Sequence, residues 1–178
     1  DPLIDPNHVA HLPAHDAAGR LLGYTARTFV GHERRYMNPR KGEGADPAAV
    51  FGERHWPALG HRDEVVVLEG AIKGLAVDRA WGEDQLDAAA TRVAVAVLSG
   101  SGVSIGQVAK LATFRRALVM TDPDLAGDRA AEQILGALAR HSAAVRLRLP
   151  PRAEPDEMDP AELRSVIAGA LRAARDVA

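Results

Sequence analysis

Val65-Val66-Val67-Leu68-Glu69-Gly70 and Leu118-Val119-Met120-Thr121-Asp122-Pro123-Asp124 decide the fold. Each is a short, unbroken apolar run that stops on carboxylates. Unbroken runs of this length, rich in β-branched residues, read as strands buried on both faces, the kind that parallel sheets use. In an open α/β sheet, ligands gather beyond the carboxyl ends of the strands. Glu69, Asp122 and Asp124 are therefore the first candidates for a functional site.

Two more strands are expected at Val93–Leu98 and Val145–Leu149, the latter at a sheet edge because Arg146 and Arg148 alternate with its apolar residues. Helices are expected at Ile72–Trp81, from Ser104 to about Thr113, and at Gly127–His141, where Ile134, Leu135 and Leu138 share a face. A last helix opens on Asp159-Pro160-Ala161-Glu162, an acidic N-cap with Pro at the first helical position. Strands alternating with helices imply a parallel sheet flanked by helices, an α/β fold. The front third differs, being irregular and rich in His, Pro, Gly and Arg. There Asp16-Ala17-Ala18-Gly19 reads as a turn and Arg20–Val30 as a half-buried strand, giving a small mixed α+β lobe with a hairpin. The expected organisation is a small basic lobe over 1–60, followed over 61–178 by the α/β domain with its C-terminal helix.

Composition narrows the classes. The 178 residues allow one α/β domain with a small appended lobe. A formal net charge of -2 argues against a uniformly basic nucleic-acid coat, so any nucleic-acid surface must be local. Without cysteine there is neither a disulfide framework nor a thiolate zinc site. No apolar run reaches the roughly 18 residues of a membrane span, and Asp1-Pro2-Leu3-Ile4-Asp5-Pro6 has no signal-peptide order. The expectation is a cytoplasmic protein with no membrane partner.

A third acidic group, Glu154-Pro155-Asp156, follows the last strand. Carboxylates that converge repel one another, and a hard divalent cation relieves the repulsion. Mg²⁺ (or Mn²⁺) suits such a set, because it is typically held by one or two carboxylates plus substrate phosphates. That points to phosphoryl transfer.

A strand ending in Glu69-Gly70, then one ending in Asp122-Pro123-Asp124-Leu125-Ala126-Gly127-Asp128, resembles the TOPRIM signature. Leu98-Ser99-Gly100-Ser101 before Ser104, and Leu149-Pro150 through Glu154-Pro155-Asp156, are similar to the corresponding segments of bacterial or phage-type (DnaG-like) DNA primases. So are Gly19-Arg20-Leu21-Leu22-Gly23-Tyr24-Thr25-Ala26-Arg27 and Arg35-Tyr36-Met37-Asn38-Pro39 in the front third. The resemblance runs from about Ala14 to Asp156 and implies a TOPRIM, Rossmann-like fold. It implies Mg²⁺-dependent synthesis of short RNA primers from NTPs on a single-stranded DNA template during replication. Glu69, Asp122 and Asp124 would be catalytic metal ligands, with Asp156 and Glu154 beside them. Arg27, Arg35 and Asn38 would face nucleotide or template. The alternatives are a TOPRIM metal-dependent nuclease and a non-catalytic TOPRIM module for DNA binding or assembly.

Two positions depart from the family pattern. Lys73 stands where primases usually carry an Asp, four residues after the strand-end Glu, and three roles stay open for it: to replace a cation electrostatically, to touch a phosphate, or simply to point to solvent at a helix start. Asp46-Pro47-Ala48-Ala49 occupies a stretch where a lysine is common in the family. The zinc-binding primase segment and the replicative helicase implied as partners are expected to be supplied elsewhere. His8, His11 and His15 lack paired cysteines and read as surface or core residues, and Phe51, Trp56 and Trp81 read as residues that close a core.

Overall fold

The two apolar runs form adjacent strands at the centre of a four-stranded parallel sheet. This computed structural model describes residues 10–28, 36–38, 45–59, 63–82, 93–99, 102–150 and 153–177. Within it β1 (Ala10–His15), β2 (Leu21–Arg27) and β3 (Tyr36–Met37) form an antiparallel sheet, and a 3-10 segment follows at Glu53–Leu59. Then β4 (Glu64–Leu68), α1 (Ala71–Gly82), β5 (Ala94–Val97), α2 (Ile105–Leu111), β6 (Arg116–Met120), α3 (Leu125–Leu138), β7 (Ala143–Arg146) and α4 (Pro160–Val177) complete the chain. The parallel sheet has the order β5-β4-β6-β7. The chain steps from β4 to β5 on one side, then returns past β4 to β6 on the other, which makes a topological switch point at the end of β4.

Period-two alternation along the central strands divides the core. Val65, Val67, Ala117 and Val119 face Leu111, Phe114, Ile134 and Leu138 on one side; Val66, Leu68, Leu118 and Met120 face Val77, Leu163, Ile167 and Leu171 on the other. Helices thus cover both faces, as expected of unbroken apolar strands. β7 is an edge strand, but it begins at Ala143 rather than Val145. Ala143 and Ala144 pair with Arg116 and Ala117, and their lack of β-branching hid this start in the sequence.

Local signals account for the helix starts. Ser104 caps α2 in a reciprocal box with Gln107, each side chain bonding the other's backbone N–H. Asp159 accepts from the backbone of Ala161 and Glu162 at the head of α4. The N-terminal hairpin turns where expected, with Gly19 at φ +82° and the Asp16 carboxylate accepting from the amides of Ala18 and Arg20.

Residues 45–59 pack directly on the parallel sheet. Phe51 bridges to Val97, Trp56 donates its indole N–H to the Val95 carbonyl and sets its ring edge-on to Phe114 at 5.0 Å. Gly52, between them, has φ +98°, and a Cβ there would lie 2.3 Å from the Val95 carbonyl oxygen. Only glycine permits both the backbone conformation and that approach.

One buried charge fastens α4 to the sheet. Glu64, 1% exposed at the start of β4, takes hydrogen bonds from Arg175 at 2.7 and 2.8 Å and from Arg116 at 3.1 Å. Burial pushes its pKa up, but the bonds from Arg175 and then Arg116 outweigh burial and hold it below the ordinary value of 4.5. Arg175→Ala should lower stability by about 1.5–3 kcal/mol, the worth of hydrogen bonds to a charged group. Because Glu64's folded pKa is depressed, this contribution is present above about pH 4.5 and fades as pH falls through the lower folded value. Thermal melts from pH 7 to pH 3 should therefore show wild type and Arg175→Ala converging in acid.

Candidate active site

Strand register builds the acidic edge. β4 pairs with β6 so that Leu68 lies beside Met120, and the residues that follow, Glu69 and then Asp122, leave the sheet side by side. Leu68 also pairs with Val97 on β5, which brings Ser99 to the same edge. A cleft of about 250 Å³ opens there, lined by Glu69, Gly70, Ala71, Lys73, Ser99 and Asp122 from the parallel sheet and by Thr25, Tyr36 and Asn38 from the N-terminal sheet.

Glu69 carries a charge that its surroundings disfavour. Its Oε1 atom is buried and finds no hydrogen-bond partner among the described residues. Burial, then repulsion from Asp122 and Asp124, raises its pKa above the ordinary glutamate value, with Lys73 and Arg146 acting the other way. Asp124 is exposed and caps α3, accepting from Gly127 N–H at 2.7 Å. Gly127 is held against the preceding loop, where a Cβ would lie 2.2 Å from the Asp122 carbonyl oxygen. Its own carbonyl accepts from the Thr121 hydroxyl at 2.8 Å. The whole Asp122–Asp124 turn is thereby folded onto the first turn of α3.

Lys73, on the first turn of α1, reaches into this group. Its ammonium bonds Asp122 and, at 2.6 Å, Glu154, so these two carboxylates meet on one cation. Burial disfavours that charge, but the hydrogen bonds to Asp122 and Glu154 outweigh burial and raise the lysine's pKa above its ordinary value. Asp156 stands exposed on the turn at 155–157, outside the cleft lining. Among the described residues, no three His, Asp or Glu side chains are arranged to hold a metal between them.

The N-terminal sheet supplies the opposite wall. Arg27 lies over the Tyr36 ring, 4.7 Å from its centroid, and also bonds the Tyr36 hydroxyl. Thr25 donates to Asn38 at 2.8 Å, and the Asn38 amide donates to the Ser99 carbonyl at 3.2 Å, joining the two sheets across the cleft. Arg35 lies outside the described residues. Sequence reasoning did not single out Thr25, Tyr36, Ser99 or Arg146 as site residues. Tyr36 was within reach, since it sits between Arg35 and Asn38, whereas Arg146 read as the solvent side of an edge strand. It is 14% exposed instead, paired with Asp128 at 2.6 Å.

Glu69→Gln should raise the melting temperature of the metal-free chain at neutral pH. It removes a partly buried charge whose Oε1 has no hydrogen bond, worth about 1 kcal/mol, or ~2–4 °C. The gain should begin to shrink as pH falls through Glu69's raised pKa and be gone below the ordinary value of 4.5, where the carboxyl is neutral folded and unfolded. Calorimetric melts across that range check both signs.

No protein-family model matches the chain. A DNA primase from Synechococcus elongatus is 32% identical over 130 residues, which is 70% of this chain and 17% of that protein. The zinc-binding and RNA polymerase domains of the Aquifex aeolicus primase superpose with a TM-score of 0.68 at 21% identity, covering 92% of this chain and 40% of that one. A DnaG primase catalytic domain solved bound to single-stranded DNA gives 0.66 at 17% identity, over 93% of this chain and 50% of that one. The chain thus spans half or less of each of these proteins. Sequence and fold agree on one relationship: this chain is related to the catalytic domains of DnaG-type DNA primases.

Proposed function

We propose that the chain is the primer-synthesising core of a DNA primase, joining NTPs into a short RNA on a single-stranded DNA template with Mg²⁺ or Mn²⁺ at the acidic edge. One observation carries the reading: Glu69 and Asp122 line a cleft whose other wall bears Thr25, Tyr36 and Asn38, with Arg27 packed on the Tyr36 ring behind it. A charged triphosphate needs both a cation-binding edge and a donor-bearing wall, and the cleft lies between them.

The carboxylates suit a hard divalent ion in a limited sense. Glu69 Oε1 is buried and unbonded, and its neighbours Asp122 and Asp124 repel it, so a cation bound there removes an unfavourable charge. Mg²⁺ asks for only one or two protein carboxylates, with water and phosphate completing its shell. Glu69 and Asp122 would hold it, with Asp124 close by. When bound, the ion supplies charge neutralisation for the triphosphate and activation of the attacking hydroxyl. Arg27 and Asn38 would orient phosphate or template without reading base sequence. Lys73 would fix Asp122 and offset its charge. The zinc-binding domain beside the polymerase domain in the Aquifex aeolicus protein and the single-stranded DNA on the DnaG domain support a template partner and a separately supplied zinc segment. A replicative helicase is the further partner this reading implies.

One observation favours a second reading, a TOPRIM scaffold that binds DNA without polymerising. Lys73 already engages Asp122 and Glu154, two of the proposed metal-site carboxylates. The two readings separate in one experiment with labelled NTPs and single-stranded DNA. On the first, wild type extends RNA only with Mg²⁺ or Mn²⁺, and Asp122→Asn/Asp124→Asn loses at least 100-fold in rate while keeping its fold, because Asn still caps α3. DNA binding that ignores divalent ions, with no incorporation, establishes the scaffold instead.

The basic wall yields a separate prediction. Arg27→Ala should weaken single-stranded DNA binding and lower the salt slope by about 0.7 for each phosphate that the arginine neutralises in wild type. Fluorescence anisotropy titrations between low and moderate salt measure this, and an unchanged slope removes Arg27 from the template path.

A further inference from the structure

Asp122 belongs to the loop after β6 and Glu154 to the loop after β7, yet both carboxylates meet on the ammonium of Lys73. The lysine side chain is only 16% exposed, whereas its two partners are 40% and 39% exposed. Its stem runs over Gly70, where an added Cβ would touch the lysine Cδ at 3.6 Å. The charge is therefore led into the cleft from beneath the carboxylates rather than laid over them from solvent. An ammonium is a compact point charge with three donors and no acceptor. Two carboxylates from separate strand ends, bridged by a single small cation, form the arrangement that a divalent ion otherwise supplies.

We propose that Lys73 is a resident cation: its ammonium fills the position in which a divalent ion would bridge Asp122 and Glu154, so the acidic edge takes one divalent ion fewer than its carboxylates would hold without it. Glu69, which Lys73 does not bond, stays open to a cation, and its buried Oε1 is the acceptor left to receive one. The inference rests on the metal-binding part of the function proposed above and is independent of polymerising activity. The lysine does what a fixed second ion does for a carboxylate pair, holding Asp122 in place before any substrate arrives. Unlike an ion, it cannot leave with pyrophosphate or be replaced by water.

The test measures Mn²⁺ bound per chain by electron paramagnetic resonance, without nucleotide or DNA, for wild type, Lys73→Gln, Lys73→Met and Lys73→Arg. Lys73→Gln and Lys73→Met should each bind one Mn²⁺ more than wild type, while Lys73→Arg, which keeps the charge, should match wild type. Melting in chelator supplies the second readout. The neutral variants should melt below wild type without metal and recover with Mn²⁺, and a variant that folds only once Mn²⁺ is added supports the inference equally. If the neutral variants bind the same number of ions with affinity within about twofold of wild type, Lys73 is an ordinary ion-pair residue and the inference falls. It falls equally if they are destabilised and Mn²⁺ does not restore them. Because no NTP is present, a failure of primer synthesis alongside the expected Mn²⁺ stoichiometry speaks only against the primase reading.

Discussion

The parallel register of β4 against β6 is the constraint on which the rest of the molecule depends. Pairing Leu68 with Met120 buries both apolar runs on both faces and, in the same step, forces Glu69 and Asp122 out of the sheet next to each other. A slip of one residue would move each side chain into the differently shaped core on the other face, so packing holds the carboxylates together against their mutual repulsion. The apolar core is the larger energy and the site is its consequence. What relieves the repulsion is local: Lys73 on Asp122, the cap from Asp124 to Gly127, and Arg146 near Glu69.

Much of this fold could be read from the chain because its strands are unbroken and its helices are capped by residues of strong preference. Val65–Leu68 and the run ending at Met120 admit few other readings, and Ser104 and Asp159 announce the helices after them. β7 was misplaced by two residues at its start because Ala143 and Ala144 favour no extended conformation by themselves; pairing with β6 selects it. The site was legible only where chemistry coincides with a strand end. Thr25, Ser99 and Arg146 act through partners distant in sequence, and no local pattern reports a contact between Thr25 and Asn38 or between Arg146 and Asp128. The likeness to primases had marked Lys73 as a departure, but its two carboxylate partners became visible only in three dimensions.

Asp124 and Gly127 show how one short turn serves two demands. The Asp124 carboxylate completes the open N-terminus of α3, a role that any Ser, Thr, Asn or Asp could fill. Only an acidic side chain also adds to the field that raises Glu69's pKa. Gly127 lets the helix begin directly against the Asp122 backbone, so the two aspartates are spaced by a helix cap rather than by a free loop. Their backbone spacing is therefore set by the fold. A ligand therefore meets a largely formed edge and need not order it, which reduces the entropic penalty of binding.

The two walls of the cleft differ in how firmly they are set. The acidic wall inherits the rigidity of a sheet packed on both faces. The opposite wall belongs to a three-stranded sheet whose third strand is described at Tyr36–Met37, and among the described residues it is joined to the acidic wall at the cleft through Thr25, Asn38 and Ser99. Ser99 makes that join from φ +50°, a left-handed backbone that a non-glycine residue holds at a cost of about 1–2 kcal/mol. Strain of this kind persists where surrounding bonds over-determine it, and here the Asn38 amide on the Ser99 carbonyl is one of them. The described join across the cleft is thus made of polar contacts and one strained residue, while residues 45–59 tie the same N-terminal sheet to the core from behind. A ligand that competes for Asn38 or Ser99 would act on that join directly, whereas Glu69 and Asp122 leave the parallel sheet itself.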